Sequence, residues 1–147
     1  MAAVRRADAT WSGDLPSGKG SVSASSSGKF KDLDVSWARR SEAEAQGVTS
    51  PEELLAAAHA SCFAMALSAG LGRAGTPPER LDVSAEVTFD RSGDGFKVTS
   101  SKLTVRGKVP GIDAAAFEKA AEGAKDGCPI SGALKGNVEL SVSATLR

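Results

Sequence analysis

The chain has 147 residues, an ordinary size for one compact domain, and its 18 basic and 18 acidic side chains cancel to a formal charge of zero. A balanced charge argues against a general nucleic-acid or anionic-membrane binder, since both need a basic surplus. No apolar stretch is read as approaching the roughly 18 residues of a bilayer span, and Met1-Ala2-Ala3-Val4-Arg5-Arg6 lacks the apolar core of a secretory signal. A single domain over residues 1–147, cytoplasmic and without membrane or nucleic-acid partners, is the expectation.

In chain order, Arg6 to Trp11, Lys19 to Ser25 and Phe30 to Trp37 read as three short strands, with hairpin chemistry at Asp14-Leu15-Pro16-Ser17-Gly18. Ser41 to Val48 is a polar connection. The clearest helix then begins, with Ser50 as N-cap, Pro51 at N1 and Glu53 at N3 completing a capping box. The run that follows, LLAAAHASCFAMALSAGL, is apolar or small around its whole circumference, so it calls for burial on all sides. One sheet in so small a domain covers one face only, which leaves the rest for another subunit. Gly70, Gly72, Gly75, Pro77 and Pro78 stop the helix.

Leu81, Val83, Ala85, Val87 and Phe89 alternate with polar residues as a half-buried strand does. Ser92-Gly93-Asp94-Gly95 turns the chain into a second long strand, Phe96 to Val109, with a bulge. Asp113 caps a helix over Ala114 to Lys125 with Gly127 at C′, and Cys128-Pro129 opens a short helix as N-cap and N1. Val138, Leu140, Val142, Ala144 and Leu146 mark a last strand. The order βββα-ββ-αα-β, with long helices beside antiparallel hairpins, is an α+β pattern.

Two glycine motifs fail their context. Gly13-x-x-x-x-Gly18-Lys19 resembles a P-loop, but Gly20 stands where a Ser or Thr would hold magnesium, and strand rather than helix follows. Gly70-x-Gly72-x-x-Gly75 matches the dinucleotide fingerprint by letter, yet it follows a helix and runs into Thr76-Pro77-Pro78. It reads as a helix stop.

Two cysteines in a reducing compartment do not make a permanent staple, and with His59, the one histidine, they fall short of a zinc site. On composition alone they are two small buried hydrophobes. As chemistry, two thiols are the smallest inventory for a peroxidatic cycle, in which one thiolate is oxidised to a sulfenic acid and the other traps it as a disulfide. Cys128 at a helix N-terminus favours the thiolate. Cys62 sits mid-helix among Ala60, Phe63, Ala64 and Met65, where desolvation raises its pKa, and no Lys or Arg lies between Pro51 and Leu71. Local physics alone therefore names Cys128 as the reactive thiol. Cys62 could take that role only with a cation brought from elsewhere. Met65, Phe63 and Leu67 read as core rather than substrate wall.

The segments TSPEELLAAAHASCFAMALS around Cys62 and KDGCPISGALK around Cys128 resemble the two cysteine motifs of the OsmC/Ohr hydroperoxide reductases. WSGDLPSGKGSVS and KVPGIDAAAF resemble the OsmC branch in particular. The resemblance implies an intertwined homodimer, with two long central helices wrapped by antiparallel sheets and active sites at the interface. It implies that Cys62 is peroxidatic and Cys128 resolving. It also brings an arginine–glutamate pair, carried onto Arg40 (or its neighbour Arg39) and Glu52, whose guanidinium would stabilise the Cys62 thiolate. It implies reduction of organic hydroperoxides without a bound cofactor, at the expense of a cellular dithiol such as a lipoyl-type one. A redox sensor, an apolar-ligand carrier of the same fold and an inactive structural relative are the rival readings. A sensor would need an output surface such as a basic patch, which the sequence does not offer.

Overall fold

The computed structural model describes residues 1–147, which divide into two compact units, Met1–Pro51 and Glu52–Arg147.

The first unit is an antiparallel three-stranded sheet of β1 (Asp8–Ser12), β2 (Lys19–Ser23) and β3 (Leu33–Val35), paired in that order. Trp11 on β1 faces Gly20 on β2, and a Cβ at Gly18 or Gly20 would come within 2.8 or 2.7 Å of the indole ring. Those glycines make room for the tryptophan. The Asp14 side chain closes the turn between the strands, its carboxylate accepting from the Ser17 N–H at 3.0 Å and from the Ser17 hydroxyl at 2.5 Å. The P-loop-like glycines thus belong to a hairpin.

β3 is shorter than the expected Phe30–Trp37 strand. Ser36 instead caps a helical turn, α1 (Trp37–Ser41), its hydroxyl accepting from the Arg39 N–H at 3.3 Å. Trp37, Arg39 and Arg40 therefore stand on a short helix rather than on a strand end and loop, because the serine side chain satisfies a donor that a strand would have left for its neighbour.

The second unit is built on α2 (Pro51–Arg73), which starts at the expected proline. Its fully buried residues His59, Phe63, Leu67 and Leu71 recur every fourth position and form one stripe. The opposite face stays exposed, including Met65 and Ser68. By length and composition this helix is apolar enough to cross a bilayer, which corrects the expectation that no stretch approaches that length. Alanines supply much of its hydropathy, and the core helix of a globular domain meets the same test. The helix ends in a Schellman motif, with Gly75 at φ +82° and the Thr76 N–H bonded to the Leu71 carbonyl at 3.0 Å. The fingerprint glycines are a helix stop, as read, although Gly70 and Gly72 lie inside the helix.

β4 (Arg80–Ser92) and β5 (Gly95–Lys108) form a long antiparallel hairpin with a bulge at Thr88/Phe89. α3 (Ala114–Gly127) and α4 (Pro129–Leu134) follow, and then β6 (Glu139–Leu146). Asp113 caps α3, accepting from the Ala116 N–H at 2.7 Å. β6 pairs with β5 in parallel, so the sheet, in the order β4-β5-β6, is mixed rather than wholly antiparallel as expected. The cause is the crossover: two helices carry the chain back along the sheet before β6 begins. Phe63, Leu67 and Leu71 of α2, Leu103 and Val105 of β5, and Phe117 and Ala121 of α3 share one core. Gly107 lies under the Phe117 ring so closely that a Cβ there would clash, which is how α3 seats on the sheet.

Candidate active site

Cys62 is on α2, one turn after the buried His59, and Cys128 is both the C-cap of α3 and the N-cap of α4. The core brings the two sulfurs together: the thiols are free and lie within hydrogen-bonding contact of each other. They differ in access. Cys62 is half-buried and borders a groove of about 780 Å³ between α2 and α3, whereas Cys128 is 1% exposed and does not line it. Met65, Ala66, Ala69, Ala120 and Gly123 form much of the groove wall, and Arg73 and Lys119 are its charged residues. Phe63 and Leu67 are core, as expected, but Met65 is 67% exposed and lines the groove.

The two thiols also differ in acidity. Burial raises the Cys62 thiol, and the hydrogen bond to Cys128 adds to that, while the Ile130 backbone N–H works against both. Burial pushes Cys128 up as well, but the Ser131 backbone N–H, the Cys62 thiol, the Ser131 hydroxyl and the Ile130 N–H together bring it below the ordinary thiol value. The Cys128 side chain makes no well-formed capping hydrogen bond to α4, but the N–H groups at the start of that helix favour its thiolate. The local argument from sequence holds in this respect: within the second unit the more acidic thiol is Cys128.

The other expected residues stand as follows. Glu52 is the one buried carboxylate, at 8% exposure in the first turn of α2. Ten residues separate it from Cys62, about 15 Å along a straight helix, so one chain does not bring these two side chains together. Arg39 and Arg40 lie in the first unit on α1. The Arg39 guanidinium is engaged by Glu42 of its own segment at 2.5 Å, a half-exposed pair.

Three polar residues behind the cysteines were not singled out as a group from sequence. The His59 ring lies between two buried hydroxyls, with Nδ1 at 2.7 Å from Ser101 Oγ on β5 and Nε2 at 2.8 Å from Ser131 Oγ on α4. Desolvation holds its pKa below the usual histidine value. One histidine in an otherwise apolar helix was the available signal, because a buried imidazole needs partners on both nitrogens.

Comparison with known proteins places the chain among relatives. The family model for OsmC-like proteins matches residues 43–143. The peroxiredoxin OsmC of Escherichia coli (strain K12) is 43% identical over 140 residues, covering 95% of this chain and 96% of that protein. The organic hydroperoxide resistance protein of Xanthomonas axonopodis pv. citri is 30% identical over 126 residues, covering 82% and 83%. Among solved structures, an organic hydroperoxide resistance protein OsmC from Legionella pneumophila superposes with a TM-score of 0.68 at 25% identity, covering 98% of this chain and 99% of that one.

Proposed function

Because the chain belongs to the OsmC family, we propose that it is a cysteine-based peroxidase that reduces organic hydroperoxides, with Cys62 as the attacking thiol and Cys128 as the resolving one. The observation that carries the assignment of roles is access: the two sulfurs touch, and of the two only Cys62 borders the groove. A peroxide entering along that groove meets Cys62 first, although Cys128 is the more acidic thiol.

The chemistry then closes in two steps. The Cys62 thiolate attacks the terminal peroxide oxygen; an S–O bond forms, the O–O bond breaks, and the alkoxide takes a proton to leave as ROH. Cys128, held toward its thiolate, attacks the sulfenic sulfur; the S–S bond forms, the S–O bond breaks, and hydroxide leaves to be protonated to water. An external dithiol, of which a lipoyl-type one is a candidate, returns both thiols, and no bound cofactor is needed. Arg40 supplies the cation that Cys62 lacks in its own helix, oriented by the buried Glu52. Both belong to the reading carried over from the family pattern.

The chain acts in this reading as one OsmC-like functional domain in a homodimer, and in the cytoplasm. The near-complete coverage of the Escherichia coli relative supports the first. The exposed apolar face of α2 supports the second. The test is consumption of cumene hydroperoxide and tert-butyl hydroperoxide in the presence of dithiothreitol. Sustained turnover is expected. A single oxidation event per chain without turnover would favour a sensor over a peroxidase.

A further inference from the structure

We propose that His59 is a positioning residue for the resolving thiol: it holds the Ser131 hydroxyl so that its proton is directed to the Cys128 sulfur. The inference rests on the peroxidase reading for its consequence, but the Ser101–His59–Ser131 hydrogen bonds stand whether or not Cys128 resolves.

The geometry is a two-rung ladder. His59 and Cys62 are three residues apart on α2, and Ser131 lies three after Cys128 at the start of α4. His59 meets Ser131 at 2.8 Å, and Cys62 meets Cys128. The polar rung is buried, with His59 and Ser101 at 0% exposure and Ser131 at 2%. It joins α2 to β5 and to α4 at the point where the two thiols must be held in register.

Counting protons fixes the direction of the chain. A buried neutral imidazole carries one N–H, and each serine one O–H. If Nδ1 held the proton and donated to Ser101 Oγ, the Ser101 hydroxyl hydrogen would be left without an acceptor in a fully buried site, since His59 is the partner of its side chain. The Ser131 hydrogen would be spent on Nε2. In the opposite arrangement Ser101 donates to Nδ1 and Nε2–H donates to Ser131 Oγ, which leaves the Ser131 hydroxyl proton for the neighbouring Cys128 sulfur, three residues back at the start of α4. A neutral histidine thus passes a hydrogen-bond direction, not a charge, to the thiolate that attacks the sulfenic acid.

The test uses a protein with one thiol. In a Cys62→Ser background, thiolate absorbance at 240 nm against pH reports Cys128 alone, and the absence of tyrosine from the chain leaves that window free of phenolate. Ser131→Ala removes the donor, and His59→Leu removes its support. Each is expected to raise the Cys128 midpoint by about one pH unit. His59→Gln, which keeps a side-chain N–H, is expected to restore most of the shift. Lys125, Asp126 and Lys135, which share a small cavity with Ser131, are present in every variant, so their charges do not create the difference. Circular dichroism confirms folding, and Ser131→Ala carries the test if His59→Leu does not fold. An unchanged midpoint in folded Ser131→Ala overturns the proposal. A shift in Ser131→Ala with none in folded His59→Leu overturns the role of His59. Peroxide is absent from the titration, so a failure of the peroxidase reading shows in the turnover assay and leaves this result standing.

Discussion

Cys62 and Cys128, sixty-six positions apart in the chain, meet thiol to thiol, and the less acidic of the two is the one that borders the groove. Acidity and access therefore point to different residues for the first reaction. A thiol that peroxide cannot reach does not react, however acidic it is, and on that ground the proposed order puts Cys62 first. In that proposal the lowered pKa of Cys128 would serve the second step, in which a buried thiolate attacks the neighbouring sulfur.

The first prediction separates these roles. Cys62→Ser is expected to abolish peroxide consumption. Cys128→Ser is expected to react once and then over-oxidise, since no thiol traps the sulfenic acid. Intact-mass spectra after one and several equivalents of cumene hydroperoxide read this as the gain of one, then two or three oxygens. Turnover in Cys62→Ser with an inert Cys128→Ser would assign the roles by acidity and sink the access argument.

A second expectation concerns stability and follows from the sign of the His59 shift. Desolvation depresses the folded pKa below the unfolded value of 6.5. Above that value both states are neutral at this residue and pH has no effect through it. Below it the unfolded chain binds a proton that the folded chain refuses, so stability falls as pH drops from about 6.5 toward the folded pKa. The limiting slope is about 1.4 kcal/mol per pH unit. Urea midpoints between pH 7 and 5 measure it, and His59→Gln is expected to flatten the slope. A slope unchanged in that variant would place the acid sensitivity elsewhere.

How much of this was legible beforehand follows the range of each signal. Pro51 opening the long helix, the Asp113 cap, the Gly75 stop and the opening of α4 at Cys128-Pro129 are local features carried by a few adjacent residues, and they stand where they were read. The helical turn at Trp37–Ser41 was missed because a serine cap competed with a strand-like run. The parallel register of β6, the Ser101–His59–Ser131 chain and the groove between α2 and α3 arise from residues far apart in the chain, and no spacing in the sequence encodes them. The contact between the two cysteines was expected from family resemblance alone, for the same reason.

Substrate preference follows from the groove. Its wall near Cys62 is Met65, Ala66 and Ala69, not the core residue Phe63. Each CH₂ of a hydroperoxide removed from water there contributes roughly 0.8 kcal/mol, so cumene and tert-butyl hydroperoxides are expected to exceed hydrogen peroxide in kcat/KM by at least tenfold. Met65→Glu, which places a charge on that wall, is expected to narrow the gap. Equal kcat/KM for hydrogen peroxide and cumene hydroperoxide would mean that the groove takes no part in binding.

The last prediction is that the active site is shared between two chains. Glu52 and Cys62 ride one helix ten residues apart, which separates their backbones by about 15 Å along its axis, more than a glutamate side chain spans. If Glu52 orients Arg40 toward a Cys62, that cysteine belongs to a second copy, reached where two α2 helices meet antiparallel. The exposed face of α2, with Met65 at 67%, asks for such a partner independently, and a two-fold pairing is the commonest way to cover it. Subunit mixing tests the arrangement directly. The Cys62→Ser homodimer is expected to be inactive for want of the attacking thiol, and the Arg40→Ala homodimer to retain a few per cent of activity at most, since loss of a charge-assisted bond to a thiolate costs about 2–3 kcal/mol. Co-refolded, they form mixed dimers in which one of the two sites pairs an intact Cys62 with an intact Arg40 from across the interface. Recovery toward half of the wild-type rate per mixed dimer is the expected result. If light scattering shows a monomer, or if purified mixed dimers stay inactive, the arginine serves its own chain; activity retained in the Arg40→Ala homodimer and lost in Arg39→Ala would move the role to its neighbour.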